Sequence, residues 1–392
     1  MLPLAGITVV SLEQAVAAPF ATRQLADLGA RVIKVERPGD GDFARGYDAT
    51  VRGISSHFVW LNRSKESLTL NLKSPESKPI RDRLLEKADV FVQNLAPGAT
   101  ERLGLGAAEL RKKYPRLIVC DISGFGSSGP YRDKKAYDLL IQAEAGVISI
   151  TGTEETPSKV GISIADISCG MNAYSGILAA LFARSRTGEG CALEVSLFDS
   201  LAEWMGYPAY YTAYGGSPPA RTGASHATIA PYGPVQSSDN KTVYLGVQNE
   251  REWKQFCEVV LRNPQLFLDS RFDSNAKRVQ NRSQLGQIML DVFQHLTATE
   301  IIARLEAAQI ANASLNTVRE FLDHPQLKAR QRWSTVDSPV GAIQALLPPV
   351  TMENVAPVMS PVPALGQQTD AILSELGFDA QTIAHWRQAS VI

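Results

Sequence analysis

The segment "KVGISIADISCGMNAYSGILAALFARSRTGEG", residues 159–190, sets one carboxylate, Asp166, in a run of small and apolar residues. Ionised side chains are seldom buried without a partner, because leaving water costs several kcal/mol. Asp166 stands just ahead of residues 167–185, whose Ala, Gly and Ser content predicts a long, closely packed helix. Two compatible roles fit that position. As a helix N-cap, the carboxylate would accept backbone N–H bonds and face the positive end of the dipole. The same setting keeps a carboxylate ionised, as a nucleophile must be.

Other chemistry is sparse. The five histidines, at 57, 226, 295, 324 and 385, show no HxxxH or HxxEH spacing, so no metal site is expected. No GxSxG elbow is present for a Ser-His-Asp hydrolase. "GFGSSGP" (124–130) follows a predicted strand and reads either as an ordinary turn or as backbone that a ligand approaches closely. "IKVERPGDGDFAR" places Arg37 just past a strand's carboxyl end, where open α/β sheets bind ligands.

The elements that must hold these residues alternate. "GITVVSLE" (6–13) reads as a buried strand, "APFATRQLADLG" as a helix closed by Gly29, and "RVIKVE" (31–36) as the next strand. "ESKPIRDRLLEKA" with "DVFVQNL" repeats the unit, and so does "AAELRKKYP" with "RLIVCDISGF". Helices between short β-branched runs imply a parallel sheet of the α/β class. "EQAVAAPFA" follows the first strand without GxGxxG, so tightly held NAD or FAD is not expected, and no Walker P-loop appears. "CALEVSLFD" (191–199) returns as a strand. The aromatic, then Gly/Pro-rich stretch 203–223 reads as a linker. A second α/β region follows, with "KTVYLGVQ" as strand and helices near 250–261, 279–294 and 298–308. Beyond about residue 330 the chain is Pro-rich before an amphipathic finish.

At 392 residues the chain is expected to form two domains. The 39 basic and 40 acidic residues balance, which speaks against nucleic acid or a membrane surface as partner. Apolar stretches read as short of the roughly 20 residues of a membrane span. Cys120, Cys169, Cys191 and Cys257 lack CxxC spacing and fit a reducing compartment. With no signal-like start, the expectation is a soluble cytoplasmic protein.

Together the motifs resemble the family III CoA-transferases, the group of formyl-CoA transferase, carnitine CoA-transferase and α-methylacyl-CoA racemase. The resemblance runs through "LADLGARVIKVERPGDGD" (25–42), "LNRSKESLTLNLKSPE" (61–76), "QNLAPGATERLGL" (93–105) and "DISGFGSSGPYRDKKAYDLLIQAEAG" (121–146). It continues through the Asp166 segment, "VSLFDSL" and "PALGQQTDAILSELGFDAQTIA". It implies that Asp166 is the nucleophile, attacking an acyl-CoA thioester to give a mixed anhydride and then an aspartyl-CoA thioester. CoA-binding positions carry over to Ala15, Val16, Arg37, Asn62, Lys65, Asn94, Leu95, Arg102, Lys135, Ala136, Tyr137 and Asp138. CoA and acyl-CoA then enter as substrates, with no tightly bound cofactor.

Two departures from the family pattern matter. The racemase branch has a histidine where this chain has Tyr137, so the second base of proton exchange is missing and acyl transfer is favoured. The glycine-only loop of formyl-CoA transferase is replaced by "RTGASHATIAPYG" (221–233), so a different acid is expected. The chain looks nearest the branch acting on itaconate, mesaconate or citramalate with succinyl-CoA, and Arg221, His226 and Tyr232 could reach a distal carboxylate. The resemblance further implies a Rossmann-like parallel-sheet large domain (1–200), a linker (201–224), a smaller α/β domain (225–330), and a linker with a C-terminal return (331–392). It also implies an interlocked homodimer. An isomerase of the same fold, or an acyl-CoA binder whose Asp166 only caps a helix, stays open at this point.

Overall fold

Short β-branched runs bounded by turns give the strands β1 (Thr8–Leu12), β2 (Arg31–Glu36), β3 (Lys65–Thr69), β4 (Val90–Gln93), β5 (Ile118–Ser123) and β6 (Ala192–Ser196). A computed structural model describes all 392 residues. It pairs the six strands in parallel, in the order β3-β2-β1-β4-β5-β6. Between them run α1 (Ala17–Asp27), α2 (Ser56–Asn62), α3 (Lys78–Lys87), α4 (Ala99–Arg102), α5 (Ala107–Lys113), α6 (Asp138–Glu144), α7 (Val147–Ile150) and α8 (Ile164–Thr187). The order reverses between β1 and β4, so the loops after those two strands part and leave a crevice at the carboxyl end of the sheet. β3 escapes a pattern reading because "KESLT" is polar. Lys65 is nonetheless buried, since it meets a carboxylate there.

The chain folds into two compact units. The larger holds residues 1–145, 161–205 and 326–392, and the smaller 146–160 and 206–325. The larger unit's core joins sheet residues Val10, Ile33, Leu68, Phe91 and Val119 to Ile372, Leu373 and Trp386 of the C-terminal tail. Burial of this apolar surface, at roughly 25 cal/mol per Å², fixes the tail on the sheet.

Helix α8 packs against α1, α6 and β5 through Ala165, Cys169, Ala173, Ile177 and Ala180, which recur at helical spacing. Gly170 is what permits the approach: a Cβ there would meet the Ala17 carbonyl oxygen at 2.7 Å. At 24 residues α8 is long and apolar enough, by length and composition, to cross a bilayer, contrary to the expectation that every apolar stretch falls short. Its opposite face, including Met171 and Phe182, is exposed.

In the smaller unit, β7 (Tyr232–Gln236), β8 (Thr242–Gly246) and β9 (Ala311–Ser314) form an antiparallel sheet, ordered β7-β8-β9. Helices Arg282–Phe293 and Ala298–Ala307 cover it, the second opened by a Thr297–Glu300 capping box. Trp253, Phe256, Phe293, Ile301 and Leu305 fill its core. Two local features differ from the sequence reading. Residues 146–160 group with this unit. Much of the stretch read as linker is helical, as α9 (Leu197–Trp204) and α10 (Gly206–Gly215). Pro208 sits in the first turn of α10, where its missing N–H costs no helix bond.

Candidate active site

Asp166 is the third residue of α8, one turn before the Gly170 contact with α1. It is therefore not the N-cap. Ser163 holds the cap position without a side-chain bond, and the helix start is closed from outside by Asp138, the first residue of α6. Asp138 Oδ1 accepts from the Ala165 amide at 2.8 Å and the Asp166 amide at 3.4 Å, while Oδ2 accepts from Gln142 Nε2 at 2.7 Å. The Asp166 carboxyl faces the cleft, and burial, then the Asp138 charge, push it up to about 7. No cation offsets that push.

The loops at the sheet's reversal are tied to each other. Asn94, after β4, accepts from the Gln14 amide at 2.8 Å and donates to the Gln14 carbonyl at 2.9 Å. Ala15 takes a left-handed φ of +61°, uncommon for a residue with a Cβ, and its amide donates to Asp42 Oδ1 at 3.0 Å. Asp42 Oδ2 accepts from Lys34 Nζ at 2.7 Å. Lys34 Nζ also reaches Glu13 Oε1 at 3.3 Å, and that oxygen accepts from Lys65 Nζ at 2.6 Å. Thr22 Oγ1 completes the Glu13 shell at 2.6 Å. Burial alone would raise Glu13, but Lys65, Lys34 and these hydrogen bonds bring it down to about 2. α1 then starts without a side-chain cap, and the amides of Val16 and Ala17 have no partner in the chain.

The crevice is a cleft of about 2540 Å³, beyond the roughly 300–1,000 Å³ of a site for a drug-sized ligand. An extended ligand fits such dimensions. Ala15, Val16, Arg37, Asn94, Leu95, Arg102, Lys135, Ala136, Tyr137, Asp138 and Asp166 all line it. Asn62 and Lys65 do not. Both are buried under the loop, with Lys65 Nζ bonded to Glu13, to the Pro19 carbonyl and to Asn62 Oδ1, so their contribution is to hold the loop rather than touch a ligand. Asp138 lines the wall, but its oxygens are engaged with backbone and Gln142, and a carboxylate would repel phosphates. Gly124 lets the 135–137 segment cross the Gly/Ser loop: a Cβ there would fall 2.3 Å from that of Ala136.

Arg37, Arg102 and Lys135 are exposed, form no ion pair, and present free cations to the cleft. Gly98, at φ +70°, makes room for Arg102, whose Nη1 lies 2.8 Å from where a Cβ would stand. Lys73 is a fourth free cation on the wall. It follows β3 much as Arg37 follows β2, and the polar "KESLT" gives no strand pattern that would point to it. The cleft can thus neutralise phosphates along its rim and hold one carboxylate poised near neutrality in its wall.

In the smaller unit, Arg221 is spent on carbonyls, donating to Thr153 at 2.8 Å, Ser149 at 3.1 Å and Glu154 at 2.6 Å. His226 stacks on Tyr232 with ring centroids 5.2 Å apart. Its Nδ1 accepts from the Thr228 amide at 3.2 Å, which leaves Nε2 as the N–H donor. Arg282 holds the His226 and Ala227 carbonyls, so this loop is braced on both sides.

The model of CoA-transferase family III matches residues 4–369. The chain belongs to that family. Among relatives, this CoA-transferase is 32% identical over 395 residues to the succinyl-CoA:glutarate CoA-transferase of Homo sapiens, covering 100% of this chain and 90% of the relative. It is 32% identical over 394 residues to the succinyl-CoA:mesaconate CoA-transferase of Haloarcula marismortui, covering 97% and 98%. A crystal structure of a CAIB/BAIF family protein from Brucella suis superposes with a TM-score of 0.83 at 32% identity, covering 95% of this chain and 99% of the other. The family acts on acyl-CoA, the kind of extended, phosphate-bearing substrate that a cleft of this volume and charge suits.

Proposed function

We propose that this CoA-transferase moves CoA from succinyl-CoA to a short dicarboxylate of the itaconate, mesaconate or citramalate type, with Asp166 as nucleophile. One observation carries the reading: Asp166 lines the same cleft wall as the unpaired amides of Val16 and Ala17 and the free cations Arg37, Arg102, Lys135 and Lys73. Both relatives described above use succinyl-CoA and a dicarboxylate by name, which supports the donor and the acceptor class.

In this reading the cations hold the 3′-phosphate and pyrophosphate, and the thioester carbonyl lies between Asp166 and the amides. The carboxylate attacks, the amides stabilise the oxyanion, and CoA leaves as thiolate. The thiolate then attacks the aspartyl carbonyl, releasing the first acid and leaving an aspartyl-CoA thioester. The acceptor carboxylate displaces CoA from it to form a second anhydride, and the thiolate takes the new acyl group. Of the three loop residues, Arg221 is engaged with carbonyls, while His226 Nε2 and the Tyr232 hydroxyl keep hydrogen-bonding capacity for a carboxylate. Assembly as an interlocked homodimer belongs to the same proposal. The exposed Trp60, Met171, Phe182 and Trp204 of the larger unit support it, as does the tyrosine row of α10, as surface that a second copy would cover.

Succinyl-CoA offered with a panel of C4–C6 dicarboxylates, read by mass spectrometry of the CoA esters, tests the substrate class. A new ester from a branched C5 acid is expected; esters only from monocarboxylates would overturn it. Asp166→Ala is expected to cost about 1,000-fold or more in exchange rate. Hydroxylamine should modify the Asp166 peptide of the native enzyme during turnover. Full activity of the alanine variant would end the nucleophile reading.

A further inference from the structure

Asp138 does two things to Asp166 at once. Its Oδ1 occupies the amides of Ala165 and of Asp166 itself, so the N–H groups that would otherwise stabilise a carboxylate in the first turn of α8 are already taken. Its charge also sits against the start of that turn with no cation between. The other titratable groups facing Asp166 supply no cation. Tyr47, beyond the Phe43–Gly46 turn, is pushed up to about 12 by burial and by Asp42 and Asp166. Cys169, one turn on, is pushed up by burial, with Asp199 beyond it. Tyr137 precedes α6.

We infer that Asp138 is a positioning residue whose negative charge, fixed on the α8 start, destabilises the free Asp166 carboxylate relative to its acylated forms. The inference rests on the reading of Asp166 as nucleophile. When an Asp166 oxygen bonds to the thioester carbon and the C–S bond breaks, the electron pair leaves on the CoA sulfur. Total charge is unchanged, but it moves from the carboxyl group beside Asp138 to a thiolate farther out. The thiolate next bonds to the Asp166 carbonyl carbon, the anhydride C–O bond breaks, and the released acid carries the charge away. Both aspartyl intermediates are neutral at position 166, so each is relieved of a repulsion that the resting enzyme bears. The same repulsion makes the carboxylate more basic, hence a better nucleophile once ionised.

Asp138→Asn removes the charge and keeps an oxygen for the Ala165 amide, while Asp138→Glu keeps the charge. The pH profile of kcat/KM is the readout. The native acid limb is expected near pH 7, since burial and Asp138 hold Asp166 up to about that value. Asp138→Asn should move the limb down by about one unit and lower the hydroxylamine-trapped fraction several-fold, with Asp138→Glu restoring both. An unmoved limb in a folded Asp138→Asn enzyme overturns the inference. If that variant does not fold, difference infrared spectra of the native enzyme against Asp166→Asn report the carboxyl directly, and ionisation near pH 4 overturns it. Activity in Asp166→Asn would instead overturn the nucleophile reading, which keeps the two failures apart.

Discussion

Two enclosed carboxylates of the larger unit have opposite surroundings. Glu13 is wholly buried between Lys34 and Lys65, with Thr22 bonded to its second oxygen, and is held down to about 2. Asp166 has a like charge as its nearest ionic neighbour and is held up to about 7. The first arrangement makes the charged form the stable one and immobilises the strained Ala15 loop. The second leaves its charged form unsatisfied, which is useful only where a covalent bond will discharge it. Burial is common to both, so partner sign and hydrogen bonding decide which carboxylate supports the fold and which is left reactive.

Removing a partner from the first arrangement should have the largest effect on stability. Lys34→Met strands Asp42 and half of Glu13's charge pairing, and is expected to cost about 3–5 kcal/mol in urea unfolding at neutral pH. A loss below about 1 kcal/mol would mean that the network is not the loop's anchor.

The second arrangement should respond with the opposite sign. Because the native state holds the Asp166 proton to higher pH than the unfolded chain does, its ionisation weakens the fold progressively between about pH 4 and pH 7. Asp166→Asn should therefore be more stable than the native protein at pH 8, by about 2 kcal/mol after discounting for partial exposure. The gain should vanish below about pH 4, where both chains are neutral at this position. Glu13 behaves inversely: its contribution is present above about pH 4.5 and is lost as pH falls toward 2. Equal melting temperatures for the two chains at pH 8 would remove the contrast.

The smallest effect belongs to the cleft rim. Arg102→Ala should raise the KM for acyl-CoA roughly tenfold with kcat little changed, since phosphate contacts bind ground and transition states alike. A fall in kcat with KM unchanged would place Arg102 nearer the reacting atoms than the rim.

Much of this was legible in the chain. The strands around β1, β2, β4 and β5 are β-branched runs, and Arg37 announced itself by its place after one of them. Asp166 stood out as an acid where its neighbours are small and apolar. Sequence alone does not separate Asn62 and Lys65 from the cleft-lining residues, because a polar type looks the same whether it faces a ligand or, as Lys65 does, a buried glutamate 52 positions earlier. Arg221 is a similar case: its three carbonyl partners lie 67–72 positions away.

Local sequence decided most of the helices and strands, though not β3 or α10, because propensity, caps and hydrophobic period act within a few residues. Tertiary structure alone decided the ionic character of each buried group. Asp166 looked like a cap and is instead capped by Asp138, 28 positions earlier. Electrostatic energy depends on distance through the folded molecule, and the fold fixes those distances without regard to separation along the chain.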